Sequence, residues 1–152
     1  MRANRSELID DLNRLMAEEA EASLRYFQMR FRLRGRGRLA AAKFFEEALK
    51  ETLEHADAIA KQIESLGQIP VLRIDLSLDG GPIGPDEALA ESLDVEQQAL
   101  EAYREFLPRA AGHPELQQFI RRQIELEAEH VQDILRIVGK TSGLKLVAGG
   151  KS

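Results

Sequence analysis

The chain of 152 residues has no cysteine and no tryptophan, and aromatic residues make up only 5% of it. Without cysteine there are no disulfides, no thiolate metal sites and no cysteine nucleophile. Long apolar runs are missing too, and none approaches the length that spans a membrane. Residues 1–11 carry Arg2, Arg5, Glu7, Asp10 and Asp11 and no apolar signal core, so a cytoplasmic protein without a membrane partner is expected. Positive charge falls short of negative, for a net of −5. That balance argues against a general nucleic-acid binder and suits the handling of cations.

What the chain does have is alanine, leucine, glutamate and arginine at helical spacing, which predicts an all-α domain with one core. Asn4 with Glu7 reads as a capping box, and Leu8, Leu12, Leu15, Ala22 and Tyr26 form the first apolar stripe. This helix should stop near Gly35 and Gly37. A second helix, from about Leu39 to Leu66, carries Phe45, Ala48, Ile59 and Ile63 and is stopped by Gly67 and Pro70. Residues 67–84 lack helical periodicity, and the alternation from Val71 to Leu76 suggests an extended stretch on the surface. Gly84-Pro85-Asp86-Glu87 opens a third helix bearing Leu89, Leu100, Tyr103 and Phe106. Pro108 and Gly112 end it. His113-Pro114-Glu115 opens a fourth, shorter helix with Leu116, Ile120, Ile134 and Ile137 on its stripe, and His113 is read as a loop residue rather than a ligand. One long connection between the second and third helices, with short ones elsewhere, describes a bundle whose halves are related by a pseudo-two-fold axis.

Polar residues interrupt the stripes in matching places. Glu19 precedes Tyr26 by seven residues and Glu96 precedes Tyr103 by seven, and these are the only two tyrosines in the chain. Thr52 and His55 interrupt the second stripe; Gln123, Glu127 and His130 interrupt the fourth. A lone glutamate on such a face ordinarily snorkels to water. Here all four helices contribute at mid-length, and buried carboxylates and imidazoles call for a compensating metal ion. Glu127 and His130, three apart on one helix, point at the same spot, and Glu19 and Glu96 close a two-metal site around them and His55. Where the second half has Glu127, the first has Thr52; Glu51, four residues before His55, shares its helix face and is the candidate replacement, with Glu54 adjacent. Tyr26 and Tyr103 are expected to hydrogen-bond the carboxylates, with Thr52 a neutral neighbour in the same shell.

Glu19-x6-Tyr26-Phe27, His55-Ala56-Asp57, Leu66-Gly67-x2-Pro70 and Glu127-x2-His130 together resemble the ferritin-like superfamily, bacterioferritin most of all, over roughly residues 5–138. The resemblance implies a ferritin-like four-helix bundle with one long crossover over residues 1–138, and a Gly-rich, flexible tail over 139–152. It implies two iron ions held by Glu19, His55, Glu96, Glu127 and His130, with the sixth ligand falling on Thr52; manganese or zinc would suit the same donors. The implied activity is oxidation of Fe²⁺ by O₂ or H₂O₂, carried by Glu19, Glu127 and His130, with storage of the product in a hollow homo-oligomer. The tyrosine pair is similar to that of rubrerythrin-like proteins, which reduce peroxide, although rubrerythrin's cysteine-ligated iron domain is missing.

Three departures qualify the resemblance. The family's haem-binding methionine falls on Leu53, so no haem is expected. Thr52 removes a carboxylate, which opens two alternatives: a non-storing di-metal oxidase or peroxide-reducing protein, and a non-catalytic subunit that co-assembles with an active ferritin. A Gly-rich tail stands in place of the family's fifth helix, so a dimer or dodecamer fits the length as well as a 24-mer. Residues Ser142 to Val147 are faintly similar to the apolar peptides that dock ferritin-like cargo in encapsulin shells. Arg30, Arg32, Arg34, Arg36 and Arg38 are expected to be solvated loop charge.

Overall fold

A computed structural model describes residues 2–141, in which four helices follow one another: α1 (Arg5–Arg32), α2 (Arg38–Ser65), α3 (Pro85–Phe106) and α4 (Pro114–Thr141). A short 3₁₀ turn, Leu107–Ala110, joins α3 to α4. The caps act as their residue types dictate. The Asn4 side-chain oxygen accepts from the Glu7 backbone N–H at 2.9 Å, and its amide donates back to Glu7 Oε1 at 2.8 Å. Pro85 occupies the first turn of α3, where no N–H is needed. Between α1 and α2, Gly35 and Gly37 take φ of 96° and 86°, a left-handed turn that a side chain would strain.

The crossover fixes the direction of α3. It leaves the far end of α2, where the Val71 N–H donates to Asn13 Oδ1 at 2.9 Å, and finishes beside the end of α1, where Leu33 and Ile83 form a parallel bridge. Along the way it climbs a helix of 28 residues, about 40 Å. Residues 68–83 fully extended reach about 50 Å, so nearly straight chain is required and helix is excluded. Val71, Leu72 and Ile74 are exposed, so the alternation in this stretch does not mark a buried face. α3 therefore starts at the same end as α2 and runs parallel to it. Arg32 departs from the expected solvated run: it is largely buried and its Nε donates to the Gly81 carbonyl at 2.7 Å, tying the crossover to α1.

The expected fourth helix was too short. α4 has 28 residues and runs through Gly139 to Thr141. A helical glycine costs about 1 kcal/mol against alanine, but Ile137 and Val138 pack on the core beside it and hold that turn. The expected tail therefore begins inside a helix; its remainder, including Ser142 to Val147, lies outside the described residues.

The apolar core is divided. One cluster gathers Leu8, Leu12, Leu15, Ile59, Ile63 and Ile120 with Tyr103 and Phe106, and the other gathers Tyr26, Met29, Phe45, Ile83, Ala88 and Leu89. Between the two lies a slab of buried polar side chains: Glu19, Thr52, His55, Ser92, Glu96, Gln123 and Glu127. Four helices have given up apolar packing at one level.

Candidate metal centre

Each helix brings its side chain to the slab by register. Glu19 and Glu96 fall in the apolar stripes of α1 and α3, His55 in that of α2, and Glu127 with His130 on one face of α4, one turn apart. His55 Nδ1 lies 3.1 Å from Glu127 Oε1 and 3.5 Å from Glu19 Oε2. His130 Nδ1 lies 3.9 Å from Glu127 Oε2 and 4.0 Å from Glu96 Oε2. The two imidazoles stack, with centroids 5.4 Å apart and planes 16° from parallel.

The tyrosines cross between the halves. Tyr26 on α1 donates to Glu96 Oε1 at 2.8 Å, and Tyr103 on α3 donates to Glu19 Oε1 at 2.8 Å. Each glutamate thus gives one oxygen to the tyrosine of the other half and turns its second toward the histidine of its own half. Burial, then the neighbouring carboxylate (Glu96 for Tyr26, Glu19 for Tyr103), pushes both phenols well above their ordinary range, so they remain donors. Sequence reasoning missed Ser92, whose hydroxyl reaches Tyr26 Oη at 3.4 Å; its signal was a small polar residue one turn before Glu96. Buried Asp11 was also missed. It binds Arg109 at 2.6 Å and Arg14 at 2.8 Å, an ion cluster at the end of the bundle and apart from the slab.

The residues present fit a metal pair. Glu19, His55 and Glu127 form one group, and Glu96, Glu127 and His130 another; in each, the candidate ligand atoms lie within 4.8 Å of one another. Glu127 belongs to both. It is fully buried, and its Oε2 has no hydrogen-bond partner among the described residues. A buried, unpartnered carboxylate oxygen costs about 1–3 kcal/mol or more, so it marks a place for a cation. Without one, burial and the nearby Glu96 and Glu19 hold the Glu127 carboxyl protonated far above the usual carboxylate range. Burial works against a charged His55, but the Glu19 carboxylate together with Glu96 and Glu51 outweighs it and holds the imidazole above its ordinary 6.5. Oxygen and imidazole donors without sulfur suit first-row dications such as Fe²⁺, Mn²⁺ or Zn²⁺.

Two further residues named from the sequence, Thr52 and Glu51, fall outside these two groups. Thr52 is buried at the right level, but its hydroxyl donates to the α2 carbonyls of Ala48 and Leu49, at 2.9 and 3.1 Å. Glu51 is half-exposed and is a member of neither ligand group. Its Oε2 lies 2.7 Å from Nε2 of His130, on the far side of that ring. A cavity of about 410 Å³ opens there, lined by Glu51, Glu96 and His130. Leu53, where the haem methionine would fall, is exposed on the outer face of α2.

Residues 9–144 match the ferritin family, described as a ferritin-like domain. Among solved structures, the chain is similar to a ferritin-like, diiron-carboxylate protein from Bacillus anthracis strain Ames. The TM-score is 0.76 at 24% identity, over 88% of this chain and 96% of that one. It is also similar to a dodecameric thioferritin, the bacterioferritin-related protein from Bacteroides fragilis, with a TM-score of 0.80 at 24% identity, over 96% of this chain and 92% of that one. At this identity the likeness concerns the fold. No curated protein matches the chain.

Proposed function

The chain belongs to the ferritin family, and on that premise we propose that it binds two iron ions inside the bundle, oxidises Fe²⁺ with O₂ or H₂O₂, and stores or detoxifies the product. The observation that carries this reading is Glu127: fully buried, shared by both ligand groups, with one oxygen unpartnered. Glu19 and His55 would hold one ion, Glu96 and His130 the other, with Glu127 between them. The chemistry supplied at such a pair is the loss of one electron from each Fe²⁺ to the oxidant. The protein's part is to fix the donors: Tyr26 and Tyr103 lock the two outer glutamates, and apolar clusters flank the slab on either side.

A dodecameric relative of the same fold favours a homo-oligomer for this chain as well. In the described residues no helix is long and apolar enough to cross a membrane. A second reading, a non-storing oxidase or peroxide reductase, or a subunit without oxidation activity of its own, is favoured by Thr52. With its hydroxyl folded onto α2, the site has five ligands rather than six.

Metal analysis of protein purified without added metal, followed by Fe²⁺ titration with oxygen uptake and a solution mass, tests both readings. Two Fe²⁺ oxidised per chain in an assembly of twelve or more subunits is expected for storage. Fast oxidation in a dimer supports the non-storing enzyme, and metal uptake without oxidation supports the non-catalytic subunit. Absence of metal binding, with Glu127→Ala no different from wild type, would sink both.

A further inference from the structure

We infer that Glu51 is a positioning residue for His130: it accepts the Nε2 proton and so leaves Nδ1 as the lone pair that faces Glu96 and Glu127. The inference rests on the metal site proposed above. It replaces the simplest use of Glu51, which is as a stand-in ligand for the carboxylate missing at Thr52.

The geometry separates the two roles. An imidazole presents its nitrogens on opposite sides of the ring, and only one can meet a given ion. Nδ1 of His130 faces the two buried glutamates at 3.9 and 4.0 Å, and Nε2 faces Glu51 at 2.7 Å. That is an ion-pair contact within hydrogen-bonding distance. Oxygen and nitrogen ligands of one ion, each about 2.0–2.2 Å from it, stand about 3 Å apart. A metal placed between Glu51 and Nε2 would also abandon Glu96 and Glu127. The neutral ring carries one proton, and the bond at one nitrogen decides which lone pair is free. Glu51, on α2, thereby reaches across to fix the tautomer and plane of a ligand on α4.

Nothing equivalent stands behind His55. Among the described residues no side chain bonds its Nε2, and its orientation comes from Glu19 and Glu127 on the Nδ1 side. The displaced carboxylate of α2 therefore serves the other half of the site.

Co²⁺ titration of the full chain distinguishes the roles, since Co²⁺ reports each position by its absorption and shifts the imidazole N–H signals in proton NMR. With Glu51→Ala, the position served by Glu96 and His130 should weaken about 10- to 100-fold. The shifted, slowly exchanging N–H of His130 should vanish into solvent exchange, and the His55 position should stay unchanged. Glu51→Gln keeps an acceptor oxygen and should recover most of the affinity and the N–H signal. Equal losses in Glu51→Gln and Glu51→Ala, with one ion fewer bound, would make Glu51 a ligand and overturn the inference. So would wild-type binding in Glu51→Ala while His130→Ala loses an ion. If the wild type itself takes up no Co²⁺, the metal-site reading fails along with it, an outcome distinct from the other two. The half-exposed position of Glu51 leaves both variants free to fold.

Discussion

The hairpin of α1 and α2 and the hairpin of α3 and α4 bring matched parts to one slab, yet they do not contribute equally. Each supplies a mid-helix glutamate, a tyrosine two turns on, and a histidine. At the central position the second hairpin offers Glu127, whereas the first offers Thr52, whose hydroxyl is spent on its own helix. Both ligand groups therefore depend on α4. Pseudo-symmetry of fold does not impose symmetry of chemistry: the tyrosines lace the halves together, while one carboxylate on one helix holds the centre.

The largest effect should come from removing that carboxylate. Glu127→Ala should abolish tight binding at both positions, a loss beyond the roughly 100-fold typical of outer partners. His130→Ala should spare the position of Glu19 and His55. Calorimetric titration with Fe²⁺ or Co²⁺ under anaerobic conditions checks this, and one ion retained in Glu127→Ala would show that the halves bind independently.

The metal-free protein should lose stability as pH rises. Glu127 has a folded pKa raised above its unfolded 4.5, so its contribution is complete below that value and declines as pH rises above it. His55, raised above 6.5, has the same sign, with its contribution lost as pH climbs through the folded value. The slope should be at most about 1.4 kcal/mol per pH unit for each proton. Thermal melts in chelator at pH 5 and pH 8 should give the higher Tm at pH 5, and Glu127→Gln should flatten the dependence. Metal reverses the trend, because ligands bind it deprotonated. A metal-free Tm that rises with pH would mean that the slab is not closed to water.

Much of this arrangement could be read from the chain. Caps at Asn4 and Gly84-Pro85, stops at Gly67 and Gly112, and four stripes give the bundle and its crossover, because local propensity and tertiary packing agree there. Glu19, His55, Glu96, Glu127 and His130 stood out because charge in an apolar stripe contradicts the pattern. Less legible was anything decided by a side chain's third or fourth torsion. Glu51 shares a helix face with His55, yet its carboxylate meets His130 on another helix. Thr52 turns inward on its own carbonyls, as buried threonines in helices do. Gly139 read as a stop, and the packing of Ile137 and Val138 outweighed its propensity. Arg32 read as loop charge until the crossover was found lying over it.

Restoring the missing carboxylate to α2 should have the opposite effect on metal. Thr52→Glu should raise affinity at the position of His55 by about tenfold or more, since hard dications gain an anionic oxygen. The same change places another buried acid in the slab, so the metal-free protein should be destabilised by about 1–3 kcal/mol. Stability with and without Fe²⁺ would separate the two effects. An unchanged second-ion affinity would show that the first half is already complete.

The smallest effect tests whether the lacing is symmetric. Tyr103→Phe removes the hydrogen bond to Glu19 and Tyr26→Phe the one to Glu96, each at a cost of about 1 kcal/mol, rising toward 3 where the acceptor is left dry. The two sites differ in one respect: Tyr26 also meets Ser92 at 3.4 Å, which can rotate its hydroxyl toward the freed space, and Tyr103 has no such neighbour among the described residues. Tyr103→Phe should therefore cost more in metal-free stability and loosen the position of Glu19 and His55, the half already short of a ligand. Tyr26→Phe should act on Glu96 and leave the first position alone. Chemical denaturation of the two variants, followed by Co²⁺ titration, measures both quantities. Equal losses shared across both positions would mean that the slab responds as one unit, and the distinction between the halves would then reside in Thr52 alone.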